Sequence, residues 1–172
     1  MAHTGPSGAA QCRIETPLGP MTALATGAGL AGLWFDAQAH HPGPLPAPVD
    51  PHHPHLRATQ RWLADYWAAP VGAPTPPPTL PALDLRGTPF QRAVWAALLQ
   101  IPPGATSTYA AIATAAGSPA AVRAAGAAIG RNPVSLIVPC HRVLGSGGAL
   151  TGYAGGLDRK RALLSHEGSA PG

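Results

Sequence analysis

The chain has 172 residues, which is enough for one large domain or two small ones with a buried core. It contains two cysteines, Cys12 and Cys140, so no disulfide framework is indicated, and no apolar run approaches the roughly 20 residues that span a bilayer. The first residues lack a basic stretch followed by an apolar one, so we expect no signal peptide and a reducing cytoplasm in which Cys140 remains a free thiol.

The first half of the sequence predicts a small unit with strands, one helix and two proline-rich connections. Short apolar runs broken by glycine across residues 15–36 favour antiparallel strands. Twelve of the 22 prolines fall in residues 42–54 and 70–81, which predicts extended loops. Between those loops, apolar residues recur near helical spacing and predict a helix over residues 55–69.

Charge is divided unevenly along the chain, whose formal net charge is +4. Residues 1–84 carry three arginines and five acidic residues, whereas residues 85–172 carry eight lysines and arginines but only Asp158 and Glu167 as acids. A basic second half favours a polyanionic partner such as nucleic acid. The alternative is a basic surface that only keeps the protein soluble.

The second half opens with a well-marked helix. Thr88 is a candidate N-cap, Pro89 fits the first turn, and Gln91 completes a capping box. Apolar residues recur along one face until residues 102–104, Pro-Pro-Gly, end the helix, and we expect this face in the core. The positions on this face are Phe90, Val94, Ala97, Leu98 and Ile101.

Two short helices separated by a tight turn are predicted next. The first occupies about residues 106–117 and is closed by Gly117, and the second begins with Ser118 as N-cap and Pro119 in its first turn. The pair is a candidate helix-turn-helix, although many such pairs only pack together. Helix packing would explain the many alanines of the second helix, but it does not explain the single cation among them, Arg123.

Residues 134–145, VSLIVPCHRVLG, place Cys140 and His141 at the end of an apolar run that predicts a short buried strand. A thiolate is a strong nucleophile, but a free cysteine has a pKa of about 8.5, so it needs a base, and a histidine base needs an orienting partner. Neighbours on a strand point to opposite faces, so adjacency in sequence does not establish a catalytic pair. A buried structural cysteine is the alternative.

The motifs of the second half resemble those of the O6-alkylguanine-DNA alkyltransferase family. The resemblance is carried by IVPCHRV, by NPV before it, and by GYAGGL and LLSHEG after it. It extends back through TPFQRAVWAALLQIPPGATSTYAAIA and AVRAAGAAIGRNPV, covers roughly residues 86–168, and is looser in the first half. It implies direct-reversal DNA repair, in which a damaged guanine is extruded from the duplex and its O6-alkyl group moves irreversibly, once per molecule, to the protein's own cysteine.

The resemblance implies a role for each residue of the site. Cys140 would attack the alkyl carbon, with His141 acting as base through a water and Glu167 orienting that histidine. Tyr109 would donate a proton to the leaving guanine, and Asn132 would bridge backbone segments near the cysteine. The pocket for the base would be formed by Val143, Tyr153 and Pro139.

The resemblance also implies how alkylated double-stranded DNA is bound. Arg123 matches the family's finger, which fills the gap left by the flipped nucleotide, and Ala124 and Gly126 on its helix would face the minor groove. Ser118 at the start of that helix and Ser146 in the GSGG loop would contact phosphates. We expect a monomer that needs no cofactor and binds no membrane.

Animal members of the family bind a structural zinc in the N-terminal domain. Residue types that could ligate zinc here are Cys12, His40, His41, His52, His53 and His55. Because the histidines occupy a proline-rich stretch without regular ligand spacing, we expect no metal.

The expected fold is an α/β N-terminal domain with an antiparallel sheet (RNase H-like) over residues 1–85, followed by a mainly α, winged-helix-like domain over residues 86–172 that holds the site and the DNA surface. Three other functions remain open. A cysteine hydrolase using Cys140 and His141 would turn over without DNA, a non-catalytic binder of alkylated DNA would lack the cysteine, and a regulator of transcription would need a further domain. The sequence does not rank methyl against larger alkyl groups, or guanine against O4-methylthymine.

Overall fold

The computed structural model describes residues 8–72 and 79–169, and its first part is a three-stranded antiparallel sheet covered by a helix. The strands, which pair in chain order, are β1 (Ala10–Ile14), β2 (Met21–Ala25) and β3 (Leu30–Phe35), and the helix is α1 (Pro54–Ala68). The strands predicted over residues 15–36 and the helix predicted over residues 55–69 are confirmed. β1 precedes the predicted stretch; its buried residues Ala10 and Cys12 are small and give a weak apolar alternation.

The second part of the chain is mainly helical. Its elements are α2 (Pro89–Leu98), β4 (Ser107–Thr108), α3 (Tyr109–Ala115), α4 (Val122–Gly130), a 3-10 turn (Cys140–Arg142), β5 (Val143–Leu144), a second 3-10 turn (Ser146–Gly148) and α5 (Leu157–His166). The short strands β4 and β5 pair in parallel. The described chain is therefore an α/β fold with an antiparallel sheet. No helix within these two ranges is long and apolar enough to cross a membrane.

Helix α2 begins as the sequence predicts. The Thr88 side chain accepts a hydrogen bond from the Gln91 backbone N–H at 3.1 Å, and the Gln91 side chain accepts one from the Thr88 N–H at 3.0 Å, so the capping box is confirmed. Val94 and Leu98 of the predicted face are fully buried. Trp95 is buried beside them, and its indole N–H donates to the Ala128 carbonyl at 2.9 Å, which ties α2 to α4.

The start predicted for the second helix of the helix-turn-helix candidate is wrong. Helix α4 begins at Val122, and the residue at its N-cap is an alanine. Ser118 instead ends α3: its backbone N–H donates to the Ala113 carbonyl, and Gly117, at φ = 84°, donates to Thr114. These two bonds form a Schellman motif, so the backbone of Ser118 is used to close the earlier helix.

The buried strand predicted for residues 134–138 is also wrong. Within the described chain, Val134 alone of this segment pairs with a strand, through a single bridge to Leu33, and the backbone then turns. Leu136 adopts φ = 75°, a left-handed conformation that is uncommon for a bulky residue and that ends the extended run. All five residues are buried, so the apolar run correctly predicted burial, but it did not predict the turn in the backbone.

The contact between β3 and this turn joins the two parts of the chain. The Leu33 N–H donates to the Pro133 carbonyl at 2.8 Å, and the Ser135 N–H donates to the Leu33 carbonyl at 2.9 Å. The Ser135 hydroxyl also donates to the Gln38 side chain at 3.0 Å, and both residues are buried. The edge of the sheet thereby fixes the segment that leads to Cys140.

Candidate active site at Cys140

Cys140 is the first residue of the 3-10 turn Cys140–Arg142. Because such a turn has about three residues per repeat, three successive side chains point in three different directions. Cys140 lines a cavity, while His141 and Arg142 both reach Glu167 at the end of α5. The tight turn, and not a strand, is what separates the nucleophile from the two side chains that follow it.

The cavity beside Cys140 has a volume of about 250 Å³. Its lining includes Ala39, His40, Tyr109, Gly126, Cys140 and Tyr153. Of the three residues predicted to form the base pocket, Tyr153 lines this cavity. Pro139 lines a separate cavity of about 110 Å³, and the side chain of Val143 is fully buried in the core next to β4, so neither side chain is part of this lining.

Asn132 supports the cysteine and the turn before it. Its side-chain NH₂ group lies 2.8 Å from the Val138 carbonyl and 3.2 Å from Cys140 Sγ, and its side-chain oxygen accepts from the Val134 N–H at 3.0 Å. Asn132 is itself buried. Asn132 therefore bridges two backbone segments near the cysteine, at the position predicted for it.

Glu167 is the centre of a buried charged cluster. It accepts four hydrogen bonds from the residues that the structure describes: His141 Nε2 at 2.9 Å, Arg142 Nε at 2.8 Å, Arg142 Nη2 at 2.9 Å and the Tyr66 hydroxyl at 2.8 Å. Burial alone would raise the pKa of this carboxyl, but the hydrogen bonds from His141 and Arg142 and the positive charge of the Arg142 guanidinium outweigh it and hold the pKa well below its usual range. Glu167 is therefore ionised.

Burial also controls the protonation of the nucleophile and its neighbour. It raises the pKa of the Cys140 thiol, against the opposing effects of the Asn132 hydrogen bond and the Lys160 charge. It lowers the pKa of His141, although Glu167 acts in the opposite direction. The resting site thus holds a thiol and a neutral imidazole. The second ring nitrogen, Nδ1, is buried and makes no hydrogen bond to any residue of the described ranges.

Tyr109 and Lys160 donate hydrogen bonds to the same backbone carbonyl. The Tyr109 hydroxyl donates to the Thr151 carbonyl at 3.1 Å, and Lys160 Nζ donates to the same oxygen at 2.6 Å and to the Gly152 carbonyl at 3.1 Å. Lys160 is fully buried, and this burial lowers its pKa to about 8.

Sequence reasoning did not select Lys160, although a signal for it exists. Lys160, Leu163, Leu164 and Glu167 are spaced i, i+3, i+4 and i+7, so they lie on one face of α5. A lysine on the buried face of a helix next to a predicted catalytic residue is a candidate for the site. Tyr66 was also missed, because its contact with Glu167 joins residues 101 positions apart.

The residues predicted to bind DNA lie along α4 and in the second 3-10 turn. Arg123 and Ala124 are exposed near the start of α4, and Gly126, three residues after Arg123, lines the cavity. Residues three apart share a helix face, so the same side of α4 carries the arginine and borders the cavity. Ser146 is exposed in the turn that follows β5. Ser118 is half buried at the end of α3.

The candidate zinc ligands of the first half are dispersed. Among residues 8–72 and 79–169, no three His, Cys, Asp or Glu side chains lie close enough to hold a metal ion. Cys12 is buried in β1 and is contacted by Gln60, whereas His53 and His55 make hydrogen bonds to the backbone carbonyls of Gly8 and Gly27.

Comparisons with known proteins agree with this geometry. Residues 89–169 match the family model described as 6-O-methylguanine DNA methyltransferase, DNA binding domain. The chain is 44% identical to the methylated-DNA–protein-cysteine methyltransferase of Mycobacterium tuberculosis over 156 residues, which is 91% of this chain and 90% of that protein. It is 41% identical to the protein of the same name from Methanosarcina barkeri, over 90% of this chain and 94% of the relative.

Solved structures give the same result. The crystal structure of Mycobacterium tuberculosis OGT in complex with DNA has a TM-score of 0.79 at 42% identity and covers 94% of this chain and 95% of its own. The O6-methylguanine DNA methyltransferase of Methanococcus jannaschii has a TM-score of 0.63 at 26% identity, covering 91% and 93%. The class that the fold and site define is therefore that of the alkyl-accepting DNA repair proteins. The chain belongs to the methylated-DNA–protein-cysteine methyltransferase family, as its motifs predict.

Proposed function

We propose that this protein repairs alkylated DNA by direct reversal, moving the alkyl group from O6 of a flipped guanine to Sγ of its own Cys140. The observation that carries the proposal is the position of Cys140, which lines a cavity on one side of a turn whose next residue is bound to the buried Glu167. The thioether that forms is stable, so each molecule acts once and needs no cofactor.

The first step is activation of the thiol. His141 Nε2 is held by Glu167, which fixes the tautomer that leaves Nδ1 as the acceptor. A water between Nδ1 and Cys140 Sγ carries the thiol proton to the imidazole, and the ionised Glu167 stabilises the imidazolium that results. The positive charge of Lys160 and the amide of Asn132 both favour the thiolate.

The second step is in-line displacement at the saturated alkyl carbon. A bond forms between Cys140 Sγ and that carbon as the bond from carbon to O6 breaks, with its electron pair passing to the guanine. Tyr109 lines the cavity and supplies a proton to the leaving base. The proton held on His141 balances the negative charge left on Tyr109 until exchange with solvent restores both groups.

The DNA-binding part of the proposal rests on α4 and the elements around it. Arg123 occupies the space of the flipped nucleotide, while Ala124 and Gly126 allow close approach to the minor groove. Ser146 contacts a backbone phosphate. The exposure of Arg123 on the helix face that borders the cavity supports this assignment.

The finer architecture belongs to the same proposal. The chain divides near residue 85 into an RNase H-like domain and a winged-helix-like domain that binds DNA. The antiparallel sheet β1–β3 with α1 supports the first, and the packing of α2, α3 and α4 next to the paired strands β4 and β5 supports the second.

Incubation of the protein with a duplex containing one O6-methylguanine tests the proposal. Intact mass should show a gain of one methyl group per molecule, and peptide mapping should place it on Cys140. The Cys140→Ser variant should accept nothing, whereas Cys12→Ser should react like the unmodified protein because Cys12 lies in β1, outside the cavity lining. Methyl on Cys12 would contradict the assignment of Cys140 as the acceptor, whereas repeated turnover by one molecule would contradict self-alkylation and favour a cysteine hydrolase.

A further inference from the structure

The hydroxyl of Tyr66 takes part in the cluster around Glu167, although Tyr66 lies on α1, in the first part of the chain. It donates to Glu167 Oε2 at 2.8 Å, and both residues are buried. The same oxygen accepts from His141 Nε2 and from Arg142 Nη2, each at 2.9 Å. A phenol from the first part of the chain therefore shares one carboxylate oxygen with the histidine of the second part.

Several contacts fix the position of Tyr66. Its ring stacks on Trp62, with centroids 5.3 Å apart, and meets the edge of Trp67 at 4.9 Å. Its backbone carbonyl hydrogen-bonds His166 Nε2 at 2.8 Å. Since His166 directly precedes Glu167, both the side chain and the backbone of Tyr66 hold the end of α5. A phenylalanine would make the same ring contacts, so packing explains the ring but not the buried hydroxyl.

The Tyr66 hydroxyl is a permanent donor. Burial raises the pKa of this phenol far above its ordinary value, and the charge of Glu167 and the hydrogen bond to it act in the same direction. A hydrogen bond to a charged group is stronger than one between neutral groups, and it withdraws electron density from the acceptor. Tyr66 therefore reduces the negative charge that Oε2 presents to His141.

We infer that Tyr66 is a positioning residue for alkyl transfer, which acts through Glu167 to keep His141 neutral and able to accept the proton of Cys140. The inference rests on the proposed function and deepens it, because it assigns the helix α1 a part in the chemistry. Tyr66 does not touch the alkyl group. It determines how strongly the Glu167 carboxylate stabilises the protonated form of His141.

The charged and titratable groups around His141 determine the direction of the effect. From α5 they are Glu167 and Lys160, from the 3-10 turn Cys140 and Arg142, and from the loop before α5 Tyr153. Glu167 raises the pKa of His141, whereas Arg142 and Lys160 lower it. If the Tyr66 hydroxyl is removed, Oε2 becomes more basic and Glu167 favours the imidazolium more strongly. The pKa of His141 should then rise.

The test is Tyr66→Phe in the full chain, with Ala64→Ser as the control, since Ala64 is an exposed, uncharged residue of the same helix. Single-turnover transfer from an O6-methylguanine duplex is measured from about pH 6 to about pH 9. For Tyr66→Phe we expect a loss of about fivefold near pH 6 that shrinks to less than about twofold near pH 9, because a base with a raised pKa is protonated at low pH. Ala64→Ser should follow the unmodified protein.

A second readout is the NMR titration of His141, which does not require transfer to occur. Its midpoint should move to higher pH in Tyr66→Phe and stay in place in Ala64→Ser. An unchanged midpoint, or an equal loss of rate at every pH, would overturn the assignment and leave Tyr66 a structural residue. If the unmodified protein transfers no methyl group, the proposed function fails, and the His141 titration alone still decides whether Tyr66 acts through Glu167.

Discussion

The side-chain amide of Asn132 lies 3.2 Å from Cys140 Sγ and 2.8 Å from the Val138 carbonyl oxygen, so one NH₂ group holds both the nucleophile and the turn that precedes it. The oxygen of the same side chain accepts from the Val134 N–H. In a strand these backbone groups would bond to a neighbouring strand. Here one buried asparagine bonds to both of them, and the chain turns and presents the thiol to the cavity.

Replacement of Asn132 by alanine should lower both stability and activity. The Val134 N–H would be left buried without a partner, which costs about 1–3 kcal/mol, while the Val138 carbonyl would keep the bond from the Cys140 N–H at 2.8 Å. We expect the free energy of unfolding in urea to fall by about 2 kcal/mol and single-turnover transfer by the folded protein to slow. The exposed Gln100→Ala serves as control and should leave both unchanged. A fully stable Asn132→Ala would mean that the turn does not depend on this side chain.

Glu167→Gln removes the charge of the carboxylate and keeps its shape. The amide still fits the site, but the Arg142 guanidinium stays buried without a counter-charge, which costs about 3–5 kcal/mol when one partner of a buried pair is removed. Sequence reasoning connected Glu167 with His141 alone. The ion pair with Arg142 adds a structural role, so transfer should slow and the free energy of unfolding should fall together.

The double variant Glu167→Gln with Arg142→Met distinguishes these two effects. With no charge left buried, stability should recover in part. Transfer should remain slow, since His141 still lacks its anionic partner. Recovery of the transfer rate along with stability would show that Glu167 contributes to folding and not to the chemistry.

Acid should destabilise the protein in two stages. His141 has a lowered pKa in the folded chain, so below its unfolded pKa of about 6.5 the unfolded chain binds the extra proton and stability falls. Glu167 has a lowered pKa as well, so its contribution is complete above its unfolded pKa of about 4.3 and is lost as the pH falls below that value. Urea midpoints measured against pH should show both declines, and His141→Gln should lack the first.

The sequence could predict the elements whose signals are local. The capping box of α2 and the glycine that closes α3 depend on residues within a few positions of one another, and both are found where expected. Ser118 was misassigned because two local signals compete for it: a serine before a proline resembles an N-cap, yet the glycine before it makes it the last residue of a Schellman motif.

The rest depends on contacts that no short pattern encodes. Leu136 adopts a left-handed conformation inside a turn that makes hydrogen bonds to Asn132 and Leu33, and leucine itself gives no sign of it. The roles of Cys140 and Glu167 followed from the resemblance to a family and not from their spacing. The contribution of Tyr66 became visible only in three dimensions, since it joins α1 to the end of α5.

Lys160 should affect the thiol and the loop beside it. Its charge lowers the pKa of Cys140, and its two hydrogen bonds hold the carbonyls of Thr151 and Gly152. Lys160→Met should therefore raise the pKa of the thiol and slow its reaction with a haloacetamide near neutral pH. Peptide mapping restricts the measurement to Cys140. The exposed Arg161→Met, next to it on α5, should leave the reaction unchanged, and equal rates in both variants would exclude an effect of the Lys160 charge.

Arg123 should matter for DNA and not for the reacting atoms. It is exposed near the start of α4, on the face that borders the cavity, and it makes no ion pair or side-chain hydrogen bond within the part of the chain that is described. Extrusion of a base costs a few kcal/mol, so Arg123→Ala should slow transfer from duplex DNA by about 10–100-fold when the gap goes unfilled. Reaction with free O6-benzylguanine, which requires no extrusion, should change by less than about twofold.

The comparison between the two substrates is what makes the Arg123 assignment testable. Arg57→Ala removes an exposed arginine from α1, far along the chain from α4, and should leave both reactions unchanged. Duplex binding should weaken with added salt in Arg123→Ala as in the unmodified protein, because the remaining phosphate contacts still release counterions. Equal losses on duplex and free base would mean that Arg123 supports the fold or the cavity. No loss on either substrate would show that Arg123 does not fill the gap left by the flipped nucleotide. The alanines around Arg123 would then be explained by helix packing alone.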